Sequence, residues 1–244
     1  MIKMYCTGIV VLIFSALLAP ARAQPPARAD VAKATQSIIE KTNAFRKEHN
    51  LPPVKPQEQL TAAAQYFAKF MARTGKYSHT ADDRQPAERA AEHGYEFCIV
   101  LENIAFMFSS EGYRTDQLAD GFTQGWIDSP GHRKNMVDPD ITDTGVAIVR
   151  DNKGKYYAVQ MFGRPESMAI AFTIKNEAGE EFSYTVSGQR YTLPPRFSQM
   201  HTVCRPPEVS FDWKAEQTLT PAKNATLTVT RNRRGEWVVS QQQR

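Results

Sequence analysis

Apolar residues recur along the first half of the chain at helical spacing. From Asp30 to about His49, Val31, Ala34, Ile38, Thr42 and Phe45 fall three or four apart, which predicts an amphipathic helix with Asp30 as its N-cap. Leu51-Pro52-Pro53 stops it. Leu60, Ala64, Phe67 and Met71 form a second stripe from about Glu58 to Thr74, with Gly75 as C-cap. Gln85 to His93 predicts a short third helix closed by Gly94. Leu118, Phe122 and Trp126 mark a fourth, ended by Ser129-Pro130-Gly131. The period then changes. Thr144 to Arg150 and Lys155 to Phe162 are apolar-rich runs around Asp151-Asn152-Lys153-Gly154, the signal of a hairpin. Helices laid on an antiparallel sheet give an α+β layer architecture for residues 30–165.

Gly163 to Ser167 reads as a boundary. Beyond it Met168 to Ile174, Glu181 to Val186, Val209 to Trp213, Ala225 to Thr230 and Glu236 to Ser240 predict short strands, with Asn232 to Gly235 closing a last hairpin. Residues 168–240 are therefore expected to form a small all-β domain, and His201 falls in a loop between its strands. Arg231, Arg233 and Arg234 read as a solvated turn.

The N-terminus sets the compartment. Lys3, the apolar run Ile9 to Leu18 and the small residues of Ala21-Arg22-Ala23 have the layout of a secretory signal peptide over residues 1–23. Cleavage near Ala23-Gln24 would place the mature chain in the periplasm or the medium, with no second apolar stretch to span a membrane. It removes two cations, Lys3 and Arg22, and no acids from a formal charge of +4. The balance that remains argues against nucleic acid as a partner. Cys98 and Cys204 are the cysteines left after cleavage, hence the sole intramolecular pair an oxidising compartment could join; two free buried thiols are the alternative.

Four segments, in order, carry a family likeness: Asn43-Ala44-Phe45-Arg46 with Leu51-Pro52-Pro53; Tyr77-Ser78-His79, then Pro86-Ala87-Glu88-Arg89 and Gly94-Tyr95; Glu102-Asn103-Ile104-Ala105; and Trp126 to Asn135 followed by Ile141 to Val146. Together they resemble the bacterial branch of the CAP superfamily, the cysteine-rich secretory, antigen 5 and pathogenesis-related 1 group. The resemblance covers a little over half of the chain and leaves residues 168–244 unassigned. It implies an α-β-α sandwich with a surface cleft. In many eukaryotic members that cleft is lined by two histidines and two acids able to hold a divalent metal. His79 matches the first histidine and Glu102 the first acid. The second acid falls on Ser129 and the second histidine near Asp140, whereas Ser-Pro-Gly-His-Arg offers His132 instead.

The resemblance thus implies a cleft lined by His79, Glu102, His132, Ser129 and Asn103. His79, His132 and Glu102 are a donor set that zinc or copper would accept, since neutral imidazole ligates and a carboxylate can orient it. The alternative is a plain His79–Glu102 hydrogen bond tying a loop to the sheet. The leading expectation is an exported binding or interaction module, without turnover or required cofactor, for an unidentified extracytoplasmic ligand or protein. A metal-dependent, peptidase-like hydrolase at the same cleft is the second reading, although no Gly-x-Ser-x-Gly elbow surrounds Ser78 or Ser129. Lipid or sterol binding is the third, with Ile104 to Phe108 as a candidate groove wall.

Overall fold

The computed structural model describes Met1, residues 29–214 and residues 217–243; the expected signal peptide and its cleavage site lie outside the described residues. The helical half contains α1 (Val31–Glu48), β1 (Lys55–Pro56), α2 (Glu58–Thr74), α3 (Pro86–Glu92), β2 (Phe97–Met107), α4 (Thr115–Asp128), α5 (Pro130–Met136), β3 (Asp143–Arg150) and β4 (Tyr156–Pro165). The strands form one sheet in the order β1-β3-β4-β2, antiparallel except for the β1–β3 pair. One face packs against α2 through Leu60, Phe67 and Met71, all fully buried. The other packs against α1 and α4 through Ile38, Leu118, Phe122 and Trp126. The result is the three-layer α-β-α sandwich.

Local chemistry explains the elements. The Asp30 side chain accepts a hydrogen bond from the backbone N–H of Lys33 and so caps α1. Gly75 ends α2 at φ +72°, a conformation that only glycine adopts without strain. Gly145 sets the spacing of the first layer: a Cβ there would overlap the backbone of Leu60 and Thr61, so α2 lies directly against β3. Asn43 fixes the segment after α1 by exchanging hydrogen bonds with both backbone groups of Val54, at 3.0 and 2.9 Å. Buried Arg46 donates to the carbonyls of Pro52, Met136 and Asp138, fixing the stretch that follows α5.

The C-terminal region is all β. Strands β5 (Ile170–Asn176), β8 (Ser198–Val203), β10 (Ala225–Arg231) and β11 (Trp237–Gln243) form a sheet in the order β11-β10-β5-β8. Strands β6 (Phe182–Val186), β7 (Gln189–Leu193) and β9 (Val209–Phe211) form a second, in the order β7-β6-β9. Phe172, Ile174, Tyr184, Val209, Leu227 and Val229 share the core between them. A disulfide joins Cys98 on β2 to Cys204, with Cα atoms 5.2 Å apart. Beside it, Arg205 holds Asp138 at 2.8 Å and Asp140 at 2.6 Å. Burial is the largest single influence on the Asp138 carboxylate and works against it, but the Arg205 hydrogen bond, the Asp140 backbone N–H and the charges of Arg205 and Arg46 together hold its pKa below the usual range.

Several expectations change. Ser129-Pro130-Gly131 ends α4 but also starts α5, because proline at the first helical position has no N–H to leave unpaired. Strands β7 and β8 expose most of their residues and so lack an apolar run to announce them. The last strand runs on to Gln243. Arg231 is not merely solvated: it pairs with Glu180 and lies 3.8 Å from the centroid of the Trp237 ring.

His201 is on β8 rather than in a loop, buried, with its Nε2 2.9 Å from the Tyr184 hydroxyl. Burial lowers the His201 pKa, and burial, followed by the influence of Tyr191, pushes Tyr184 up to about 12. The phenol therefore donates and neutral His201 accepts. A depressed folded pKa means that His201 stabilises the fold fully above its unfolded value of about 6.5, and that this contribution is lost as pH falls below it. Denaturant midpoints are expected to be lower at pH 5 than at pH 7.5, with a smaller difference in His201→Phe. An unchanged pH difference in that variant would assign the effect elsewhere.

Candidate functional site

Strand β2 is the outer edge of the four-stranded sheet, and the candidate residues gather along it. Side chains alternate across a strand, so Glu102 and Asn103 point into opposite layers. Glu102 meets the loop between α2 and α3; Asn103 meets α5.

On the first side, His79 Nδ1 lies 2.8 Å from Glu102 Oε1, and Arg89 Nη2 lies 2.7 Å from Glu102 Oε2. Arg89, from α3, is completely buried, and the Glu102 carboxylate is 1% exposed. The guanidinium also donates to Asp82 Oδ1 and to the carbonyls of Arg84 and His79, each at 2.8 Å. Its carbon lies 3.6 Å from the centroid of the Phe67 ring. One arginine thus binds both carboxylates and the loop that carries His79. Because an ionised carboxylate only accepts, the proton of neutral His79 is on Nδ1 and the Nε2 lone pair points away from Glu102. The His79 side chain is 48% exposed.

On the second side, Asn135 Nδ2 donates to the Glu102 carbonyl at 3.1 Å and to Asn103 Oδ1 at 2.9 Å. Asn103 Nδ2 then donates to the His132 carbonyl at 3.1 Å. This chain of amides fixes α5 to β2 and brings the His132 ring to 6.5 Å from that of His79, centroid to centroid. Burial, and then the proximity of His79, lowers the His132 pKa. Ser129 is the shared cap of α4 and α5, and its carbonyl accepts from the Arg133 N–H at 2.8 Å. Among the described residues, no hydroxyl hydrogen-bonds to either imidazole. The Ile104 carbonyl on the same edge accepts from Tyr77 Oη at 3.1 Å and Trp126 Nε1 at 3.3 Å.

The donor set does not fit a resident divalent metal. Both Glu102 oxygens already have partners, one of them a buried cation that would repel a second. Two imidazoles remain, fewer than the three protein ligands of a catalytic zinc. Among the described residues no group of three or more His, Cys, Asp or Glu side chains is placed to hold an ion. Nor do Ile104 to Phe108 form one apolar wall: Ile104 is buried, whereas Phe106 and Phe108 face solvent.

Arg89 and Asp82 went unnoticed as site residues in the sequence. The available signal was an arginine among the small residues Ala87, Ala90 and Ala91 of a short helix, where a solvated cation has no need of such neighbours.

YkwD of Bacillus subtilis (strain 168) is 27% identical over 130 residues, which cover 53% of this chain and 47% of YkwD. The Bacillus subtilis membrane protein YlbC is 26% identical over 132 residues, covering 53% of this chain and 34% of YlbC. The chain therefore spans half or less of these relatives' length. Among solved structures, an outer surface protein of Borrelia burgdorferi is similar with a TM-score of 0.48 at 18% identity, over 55% of this chain and 93% of the other. An extracellular protein containing an SCP domain from Bacillus anthracis gives 0.46 at 29% identity, over 55% of this chain and 41% of that one. The model of the cysteine-rich secretory protein family, CAP, matches residues 39–162, half of the sequence, and the chain belongs to that family.

Proposed function

We propose that the protein is exported and acts as a binding module without turnover, presenting His79 and His132 to an extracytoplasmic ligand or protein from the edge of β2. One observation carries this reading: both oxygens of Glu102 are engaged, by His79 and by Arg89. Glu102 orients an imidazole and is held by a cation, so it is not free to act as the base of a hydrolytic water. A hydrolase also needs a nucleophile within hydrogen-bond reach of its base, and no hydroxyl among the described residues meets that condition at either histidine. The site offers one lone pair on His79, directed away from Glu102, and a half-buried neutral ring at His132, which suit a hydrogen-bond donor on a ligand. Export is supported by the leader pattern of residues 1–23 and by membership of a family of secretory proteins.

The test begins with protein recovered from the periplasm or medium, whose N-terminus is expected at Gln24; an intact Met1 there would remove export from the reading. Nitrogen-15 NMR of this protein should show His79 in the Nδ1-protonated tautomer, and Glu102→Gln should weaken that preference. Zinc titration at pH 7.5 should show no saturable site that depends on His79, and casein should not be cleaved with or without zinc. Cleavage abolished by His79→Ala would establish the hydrolase instead.

A further inference from the structure

A second surface lies beyond the histidines, where β2 ends and the β3–β4 hairpin turns. Phe108 is 57% exposed, Phe106 47% and Tyr77 44%, and the Tyr77 and Phe106 rings meet edge to face at 5.0 Å. Exposed aromatics grouped in this way mark a binding surface more often than scattered ones do. Two recesses flank Phe108 and share Lys153. One holds about 550 Å³, with Arg73, Asn152 and Lys155 in its wall; the other holds about 300 Å³, with Ser109, Ser110 and Arg150. Both fall within the size range of small-ligand sites.

The charge of this surface is one-sided. Arg73, Arg150, Lys153 and Lys155 line the recesses, and among the described residues none of the four makes an ion pair. Lys155 Nζ lies 4.5 Å from the centroid of the Phe106 ring, so cation and aromatic face the same space. The acids are Asp151 and Glu111. Asp151 Oδ1 already accepts from the backbone N–H groups of Lys153 and Lys155, at 2.9 and 2.8 Å, and shapes the hairpin. The remaining excess is cationic, and it is combined with ring faces, hydroxyls and an amide.

We propose that this surface binds an acidic glycan. Sugar rings would lie on Phe106, Phe108 and Tyr77 through their C–H faces, their carboxylate or phosphate groups would meet the four cations, and Ser109, Ser110 and Asn152 would bond ring hydroxyls. Charge complementarity selects an anion, and the aromatic faces select one with a ring to stack. An anionic membrane fits less well, because hydroxyls, an amide and two acids surround Phe108 where hydrocarbon would have to accept them. The site is separate from the histidine pair and does not depend on the function proposed for it.

The experiment is calorimetric titration of the full mature chain with hexagalacturonate, alongside maltohexaose, inorganic polyphosphate and phosphatidylglycerol vesicles. Hexagalacturonate is expected to bind and to weaken as salt rises, whereas maltohexaose gives no heat. Phe108→Ala, at an exposed position that should not disturb folding, is expected to weaken binding about tenfold, the loss of one aromatic contact. Lys153→Ala/Lys155→Ala should weaken it at least as much, and Lys47→Ala, at an exposed position of α1, should leave it unchanged. Absence of binding to hexagalacturonate would overturn the proposal. So would equal affinity for polyphosphate with no dependence on Phe108, the mark of a plain polyanion patch, or Phe108-dependent binding to vesicles alone.

Discussion

Arg89→Met is expected to destabilise the protein by about 3–5 kcal/mol, the usual cost of removing one member of a buried ion network. The volume is nearly kept, but Glu102 and Asp82, each 1% exposed, are left as carboxylates without their cation. The contact with the face of Phe67 is also weakened. At roughly 2–4 °C per kcal/mol for a chain of this size, the unfolding midpoint should fall by roughly 10 °C. Arg89→Lys should fall between the two, because a single ammonium cannot span both carboxylates in the way that Nη1 and Nη2 do. Adding Asp82→Asn and Glu102→Gln to Arg89→Met should recover much of the loss, since no buried charge then remains. Calorimetric midpoints decide the matter. A loss below about 1 kcal/mol for Arg89→Met would show that the guanidinium is not the cation on which these carboxylates depend.

Removing the disulfide should cost about as much. Cys98 and Cys204 are 106 residues apart in sequence, and closing so long a loop restricts the unfolded chain by about 4–5 kcal/mol in the chain-entropy account, with roughly 2–5 kcal/mol found in practice. Cys98→Ser/Cys204→Ser is expected to lower the guanidinium midpoint accordingly, and the wild-type protein in reductant should match it. The loss also reaches the site: Cys98 lies on the strand that carries Glu102, and neighbouring Arg205 clamps the Asp138–Asp140 turn after α5. Wild-type protein that titrates with two free thiols in the absence of reductant would refute the bond.

Much of the sandwich could be read from the chain because its helices obey two signals at once. In α1 and α2, the apolar period and the caps Asp30 and Gly75 point to the same boundaries. Where signals compete, reading fails. Pro130 marks an end and a beginning with one residue, so α5, the helix that brings His132 to the sheet, was hidden behind the end of α4. In β7 most side chains face solvent, leaving a polar sequence that could equally be a loop. Part of the site was legible: His79, Glu102 and His132 follow from the motifs, and the structure gathers the loop after α2, strand β2 and α5, which carry them. Arg89 was not: the alanines around it in α3 are its one local signal, and it is the meeting of α3, β2 and Phe67 that shows it to be enclosed. The same limit applies to His201, whose burial depends on Tyr184 seventeen residues away.

The edge of β2 bears on how the protein avoids its own kind. An eleven-residue strand at the border of a sheet is a template for a strand from another copy, since its outward backbone groups seek partners. Here Tyr77 and Trp126 take the carbonyl of Ile104, and Asn135 takes that of Glu102. A neighbouring chain approaching this edge would meet occupied acceptors and the bulk of three side chains. Runaway strand pairing is therefore blocked at the most apolar border of the sheet, and whatever docks at the histidines must recognise side chains rather than extend the ladder.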